Sequence, residues 1–336
     1  MAAEAPTSAE RRFRPGWVSA VDRLVARIDG APASQTVAGA RVRKGIAALI
    51  GCYAVVYLAQ GALHGSLVSP VGLIMLMIAF ALYTNRGGRF MRDWVPVLVG
   101  LLAYAATVAA VPSFGLEVHY WPQIDADRVL GFGTLPTTWL QEHLYHGRTG
   151  PLEVFSVAMY VSHFIAPLLL AFAIWAFWQN RGFSDLLFGL LAVSILANIT
   201  FLLAPTAPPW LAAEHGLIPQ VQPIIKNALF DLDLNALALR KGDASSYNVV
   251  AAVPSLHVAW PIMCLLVIRK HRLPVGLFAA QAALTVGVVF AIVYTGEHYL
   301  VDAIIGALYA LVAWWLVQWG VGARRSARAP LAAESF

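Results

Sequence analysis

Along most of this chain apolar residues do not alternate with polar ones; they run together. Long apolar stretches lie near 46–63, 69–84, 94–112, 152–178, 185–204, 253–268, 274–295 and 300–320. A helix needs about 20 such residues to cross the roughly 30 Å of hydrocarbon in a bilayer. Within lipid, a backbone that spans must satisfy its own polar groups, so the runs predict helices. The expected fold class is all-α, a polytopic transmembrane helix bundle of about eight spans with extracytoplasmic capping loops. The runs at 69–84 and 253–268 are short for a full crossing, which leaves six or seven spans open.

Charge placement supports eight. With the N-terminus inside, all but five of the lysines and arginines fall in the N-terminal tail or in pieces expected on the cytoplasmic side, among them Arg86, Arg89, Arg92, Arg181, Arg269, Lys270 and Arg272. The exceptions are Arg128, Arg148, Lys226, Arg240 and Lys241, which sit in two long loops, about 113–151 and 205–252, together with most of the acidic residues. Prolines such as Pro122, Pro136, Pro208, Pro209 and Pro223 exclude long continuous helix from those loops, so they read as structured caps. Trp139, Leu140 and Leu144 share a face beside His143, as in a short helix resting at the membrane interface. Domain organisation follows: 1–45 as a cytoplasmic tail, 46–320 as the membrane domain, and 321–336 as a second cytoplasmic tail. In the first tail, Trp17, Val21, Leu24, Val25 and Ile28 recur at helical spacing; an interfacial helix and an ordinary solvated one both fit.

Composition agrees with lipid as the main solvent: 59% of residues are hydrophobic and 12% are charged, against about a quarter charged in soluble domains. The net charge of +5 comes from dispersed segment ends rather than a basic cluster beside stacking aromatics, so nucleic acid is excluded as a partner. Cys52 and Cys264 lie inside apolar runs without metal-ligand or redox spacing, and no thiolate zinc site or disulfide framework is expected. The N-terminal segment lacks the short apolar core of a secretory signal, and no inverted pair of broken helices marks a transporter.

Candidate chemistry is concentrated in the last third. In Tyr294-Thr295-Gly296-Glu297-His298-Tyr299-Leu300-Val301-Asp302, His298 and Asp302 stand one helical turn apart at a helix start. A carboxylate there can hold the proton on one imidazole nitrogen and leave the other free and more basic. A histidine and an aspartate that simply satisfy one another at the interface would look the same. The second element is Val253-Pro254-Ser255-Leu256-His257, where proline and serine precede an apolar span. From His257 the chain crosses inward and returns, so His257 and His298 are expected at one membrane face.

Pro-Ser-Leu-His, followed two spans later by His-x-x-x-Asp, resembles the last two motifs of the type 2 phosphatidic acid phosphatase superfamily. The stretch 248–257, the run Pro205-Thr206-Ala207-Pro208-Pro209-Trp210 and the run Leu135-Pro136-Thr137-Thr138-Trp139-Leu140 are most similar to its inositol phosphorylceramide synthase branch and bacterial relatives of that branch. The resemblance implies a membrane lipid phosphotransferase or phosphatase in which His298 attacks phosphorus, Asp302 orients it, and His257 protonates the departing oxygen and then activates the acceptor. It implies neither metal nor cofactor. Ser255 would add a hydroxyl or backbone donor to the phosphate oxygens. The expected partners are a lipid phosphate and an acceptor, either water or an alcohol such as inositol, in a multi-pass plasma-membrane protein with both termini cytoplasmic.

Two departures matter. The superfamily's Lys, six residues, Arg-Pro motif is missing around 205–210, and the arginine expected six residues before the nucleophile is Ile292. Transferring phosphoryl oxygens need cationic or N–H partners, so Lys226, Arg240 and Lys241 become candidates, with Arg128 and Arg148 in the other loop. Each by itself reads more readily as a solvated loop charge than as a phosphate contact. His163, inside the fourth span, is either a partner of the headgroup or of a catalytic residue, or a helix-to-helix contact. Phosphoinositol-type headgroup transfer is the favoured subclass. Hydrolysis of a polyprenyl or phosphatidic phosphate is the rival, and a proton-coupled transporter using His163, His257 and His298 is the rival from another class.

Overall fold

The computed structural model describes residues 37–63, 70–178, 182–232 and 250–333. The helix expected around Trp17 to Ile28, and Arg240 and Lys241, lie outside the described residues. The helices in chain order are α1 (Val37–Leu63), α2 (Pro70–Tyr83), α3 (Gly87–Ala110), α4 (Trp121–Leu130), α5 (Pro136–Leu144), α6 (Pro151–Ala173), α7 (Gly182–Leu203), α8 (Pro209–Glu214), α9 (Ile224–Asp231), α10 (Leu256–Lys270), α11 (Val275–Tyr294) and α12 (Leu300–Ala333). A π-helical turn, Ile174–Trp178, extends α6. Among the described residues the only extended pairing is a pair of isolated bridges, His119 to Thr206 and Thr206 to Ala251.

Every apolar run of the sequence is a helix. Six of them, in α1, α3, α6, α7, α11 and α12, are long and apolar enough to cross a membrane. The other two, α2 and α10, are the runs whose shortness left the span count open. At 15 residues α10 is about 22 Å long. Its sides are covered by protein: α10 packs against α6, α7, α11 and α12. A helix so enclosed need not match the lipid thickness by itself.

The chain divides into two compact units at the Gly100–Leu101 step inside α3. In the first, α1 and α2 pack along one another, and Arg43 Nε donates to the Leu82 carbonyl at 3.1 Å. Arg89 and Arg92 both reach Asp93 early in α3, at 3.3 Å and 2.8 Å. The second unit is the bundle of α6, α7, α10, α11 and α12, with α4, α5, α8 and α9 as short helices in the two long loops. Proline opens α5, α6 and α8 at their first turns, where its missing N–H costs nothing and its fixed φ favours the helix.

Polar side chains tie the bundle at both ends. At one, Asp185 in the first turn of α7 accepts from Lys270 Nζ at 2.6 Å and faces His271 Nε2 at 2.8 Å; Lys270 also reaches Gln318 of α12. At the other, Glu153 in the first turn of α6 receives the Tyr294 hydroxyl at 2.5 Å and the Gly150 N–H at 2.8 Å. The expected short helix bearing Trp139 is α5, and Trp139 is half-exposed with the His143 ring stacked on it at 4.4 Å. Trp121, Val129 and Phe132 of the same loop are exposed as well, which suits the bilayer interface.

At Gly306, α12 comes close to the backbone of the residue ahead of α10. A Cβ built on Gly306 would fall inside contact distance of the Ser255 carbonyl oxygen, so only glycine lets these backbones lie this near. A Cβ on Gly189 would meet the Met263 sulfur, a flexible side-chain end that can swing aside. Gly306→Ala is therefore expected to cost about 1–3 kcal/mol through overpacking, and Gly189→Ala clearly less. Thermal unfolding of both variants in detergent checks the difference; equal losses would mean the Ser255 contact is not the tighter constraint.

Candidate active site

The second histidine motif begins where α11 ends. Thr295 N–H closes the last turn on Ala291, and Gly296 then takes φ +80°, a left-handed conformation that glycine adopts without strain. A Cβ on Gly296 would also lie 2.7 Å from Val221, so the turn needs glycine for space as well. The N–H groups of Glu297 and His298 both return to the Ile292 carbonyl, at 3.0 Å and 3.1 Å. The reversal delivers the His298 ring to the start of α12, where Asp302 lies in the first turn.

Asp302 Oδ2 accepts the Tyr299 N–H at 2.9 Å and lies 3.3 Å from His298 Nδ1. One carboxylate oxygen thus satisfies an orphan N–H of its own helix end and orients the imidazole. With the proton of His298 held on Nδ1, Nε2 carries the lone pair. That nitrogen lies 3.0 Å from His257 Nδ1, which must then be the donor of the pair. The result is a chain of two hydrogen bonds, His257 to His298 to Asp302. His298 and Asp302 are buried, and His257 is half-buried. Its Nε2 has no hydrogen-bond partner among the described residues.

The Pro-Ser-Leu-His element is held from two sides. Ser255 N–H donates to the Asp302 carbonyl at 3.2 Å, which joins the entrance of α10 directly to the first turn of α12. Thr206 clasps the preceding strand-like segment: its N–H donates to Val250 O, its carbonyl receives Ala252 N–H, and its hydroxyl receives Val253 N–H at 2.8 Å. Ser255 occupies the N-cap position as expected, yet its hydroxyl makes no cap bond, and the Val258 and Ala259 N–H groups go to its carbonyl. Its own N–H is engaged with Asp302, so the hydroxyl, buried and without a hydrogen-bond partner among the described residues, is what remains to offer a ligand.

His163 also comes to this cluster. Its ring centroid lies 3.9 Å from that of His257, and its Nδ1 is hydrogen-bonded to the Tyr160 carbonyl. Tyr160 flanks His257 at 4.5 Å. Both His163 and His257 have proline four residues later, Pro167 and Pro261, so neither histidine carbonyl receives the usual helical N–H. This shared His-x-x-x-Pro spacing is a signal that could have paired the two in advance.

The cations are placed less closely. Lys226 on α9 and Arg148 are exposed. Arg128 is partly exposed, 3.9 Å from Asp125, and near enough to Tyr299 for its charge to act there. Among the described residues no lysine or arginine forms an ion pair with the aspartate or histidines of the cluster. Ile292, where the wider superfamily was expected to carry arginine, is fully buried in an apolar cluster with Val258, Val288, Val293 and Ala303.

Three residues that matter to this geometry were not singled out from sequence. Thr206 is one. Gln141 of α5 is another: its amide nitrogen donates to Gln222 O at 3.0 Å and Tyr294 O at 2.9 Å, and its oxygen accepts Gln222 N–H at 2.8 Å. It clips both long loops to the end of α11. The third is Asp127 of α4, fully buried, whose Oδ1 accepts the Val301 N–H at 2.8 Å. Burial pushes its carboxyl up to about 6, against the pull of the Val301 and Leu300 N–H groups. The Tyr299 phenol is likewise held up by burial, with Asp302 and Asp127 adding to it.

Comparison with known proteins agrees with the motif reading. A family profile described as PAP2 superfamily matches residues 123–316, more than half of the chain. The chain is also similar to a protein named phosphoinositol dihydroceramide synthase from Bacteroides thetaiotaomicron, at 25% identity over 174 residues. That match takes in 50% of this chain, and the chain spans about half the length of the relative, 56% of it. No solved structure matches the chain.

Because Asp302 Oδ2 serves two donors at once, its substitutions separate. Asp302→Asn keeps an oxygen for the Tyr299 N–H and is expected to unfold close to the parent protein. Asp302→Ala opens the cap and is expected to lose about 1 kcal/mol or more. Thermal unfolding distinguishes them; equal stability of all three would remove the capping role.

Proposed function

This chain belongs to the PAP2 superfamily, and from that premise we propose that it is a membrane-embedded lipid phosphotransferase working through a phosphohistidine intermediate on His298. The observation that carries the reading is the hydrogen-bonded series from Asp302 through His298 to His257. The tautomer set by Asp302 leaves His298 Nε2 with the lone pair that attacks phosphorus. As the new P–N bond forms, the bond from phosphorus to the leaving oxygen breaks, and His257 gives that oxygen its proton. In the second half His257 takes the proton of the acceptor hydroxyl. The acceptor oxygen then attacks phosphorus, and the electron pair of the P–N bond returns to His298.

At 3.0 Å the two nitrogens are in direct hydrogen-bond contact, which leaves no room for a phosphorus centre. Substrate must therefore turn one ring aside. The His257 N–H that now faces His298 is then freed to meet an oxygen of the incoming group, so the same donor serves the resting state and the reaction. Phe164, half-exposed beside His163 and 6.3 Å from the His257 ring, marks the side on which a lipid would approach laterally.

Transfer of a phosphoinositol-type headgroup is the preferred subclass, supported by the similarity to the Bacteroides thetaiotaomicron protein named phosphoinositol dihydroceramide synthase. Charge argues the same way. A phosphodiester carries one negative charge where a monoester carries up to two, so it asks for less cationic compensation. A burial site for Ile292 in place of arginine suits the less charged substrate. Because the inositol then travels with the phosphate, the acceptor is a second alcohol, a ceramide-type hydroxyl such as the relative's name indicates, and not free inositol. Lys226, Arg240, Lys241, His163 and the Ser255 hydroxyl are the proposed phosphate and headgroup contacts. The distribution of lysine and arginine supports cytoplasmic termini, an extracytoplasmic site and a plasma-membrane location.

The test is to incubate purified protein with lipid carrying radiolabelled phosphate, quench, and look for label stable to base and lost in acid. The parent protein is expected to trap it, His298→Ala to trap none, and His257→Ala to react roughly 100- to 10,000-fold more slowly. Label on no histidine, or His298→Ala at full activity, would overturn the mechanism. Free phosphate released from lipid monoesters at full rate without any alcohol would replace transfer by hydrolysis.

A further inference from the structure

The first turn of α12 has two carboxylates on it, and only one belongs to it. Asp302 takes the Tyr299 N–H, and Asp127, arriving from α4 across 174 residues of sequence, takes the Val301 N–H between Tyr299 and Asp302. We propose that Asp127 is a positioning residue for the His298–Asp302 pair: by holding Val301 it sets the pitch of the first turn of α12, and so the direction in which Asp302 presents Oδ2 to His298. This rests on the function proposed above and goes beyond it.

The geometry leaves little freedom for another role. Asp127 is fully buried, so it meets neither solvent nor a ligand arriving from the lipid. Its helix packs against α12 and α5, and the residue beside it on that face, Ile124, lies in the apolar cluster that also encloses Tyr299. A side chain that accepts a helix-end N–H while fixed in such a cluster orients that end rigidly. The distance from His298 Nδ1 to Asp302 Oδ2 is already 3.3 Å, long for a hydrogen bond. A small rotation of the turn would break it, and with it the tautomer that frees Nε2. Misplacement on the order of 1 Å in such sites costs roughly a hundredfold in rate.

The ionisable groups around Asp127 are Asp302, whose charge acts on it directly, and Tyr299, on which Asp302, Arg128 and Tyr120 also act; Arg128 lies 3.9 Å from Asp125, and the His215 ring meets Tyr120 edge-on at 5.7 Å. Burial, with the Asp302 charge adding to it, favours the protonated acid against the pull of the Val301 and Leu300 N–H groups. A carboxyl near 6 in the folded chain and about 3.9 in the unfolded one binds its proton more tightly when folded, so its contribution to stability is lost as pH rises from about 4 to 6.

The experiment uses the full-length protein reconstituted in bilayers. It compares Asp127→Ala, which removes the acceptor, with Asp127→Asn, which keeps an acceptor oxygen for Val301 and removes the charge. Three quantities are read: kcat and KM for transfer from a lipid phosphodiester, the ¹⁵N signals of the His298 ring assigned by their loss in His298→Ala, and unfolding temperature between pH 4 and 6. Asp127→Ala is expected to lower kcat about 10- to 100-fold with KM within about threefold, and to shift the His298 signals. Asp127→Asn is expected to stay within about threefold in kcat, keep the His298 signals, and lose the fall of unfolding temperature between pH 4 and 6. A folded Asp127→Ala with parent kcat and unshifted His298 signals overturns the proposal. If Asp127→Ala does not fold, Asp127→Asn decides alone: a loss of kcat as large as 10-fold with shifted His298 signals overturns it, because the acceptor oxygen is still there. Should the protein transfer no phosphate at all, the His298 signals still answer the positioning question while the functional reading falls separately.

Discussion

A backbone contact between the residue ahead of α10 and the first turn of α12 sets the distance between the two histidines. Ser255 N–H meets the Asp302 carbonyl at 3.2 Å, and one turn further along α12 the bare Cα of Gly306 lies under the Ser255 carbonyl. His257 is two residues beyond Ser255 and His298 four residues before Asp302, so a short stretch of rigid helix end on each side carries the imidazoles to one another. Neither ring is positioned by a long side-chain network. Each is positioned by where its helix begins, which explains why the motif residues cluster at helix starts rather than within spans. A helix start also exposes unpaired N–H groups, and these give the cluster its internal anchors without any lysine or arginine.

The loops around this contact act as a second layer. Thr206 holds the segment entering α10, Gln141 pins both loops to the end of α11, and Asp127 holds Val301. Each satisfies backbone groups that turns and helix ends leave open. Buried backbone donors and acceptors without partners cost about 1–3 kcal/mol each, so the loops stabilise the bundle end while shaping the site. Proline-rich connections suit this work. They cannot form long helices, and two of their short ones, α4 and α5, place single polar side chains, Asp127 and Gln141, over the helix ends.

Much of this was legible in the residues. Apolar runs mark the helices because a spanning backbone has few alternatives, and alternation of crossings placed His257 and His298 at one face although 41 residues separate them. The four-residue step from His298 to Asp302 is local and therefore readable. Asp127 was not readable, because its partner is a backbone N–H 174 residues away, a group that every residue but proline presents alike. Thr206 and Gln141 were hidden for the same reason. His163 lay between, visible as an ionisable side chain in a span, with its pairing to His257 signalled only by the proline four residues after each. The family match extends the motif reading without adding geometry, since it says which residues align and not what holds them.

How the phosphate charge is met then follows from what surrounds the histidines. Where relatives in the wider superfamily were expected to bring arginine, this chain brings Ile292 and buries it against Val258 and Val288. The site's fixed positive poles are instead the helix starts themselves, α10 at Leu256 and α12 at Leu300, whose dipoles each amount to roughly half a charge at low dielectric. In α12 that pole is partly spent on Asp302 and Asp127, while in α10 no acidic residue occupies the first turn. An anionic group admitted beside His257 would therefore be drawn toward the start of α10, where the buried Ser255 hydroxyl also lies. That pole is fixed by the fold and owes nothing to the loop lysines and arginines, so it would act on an anion whichever of them also reaches it.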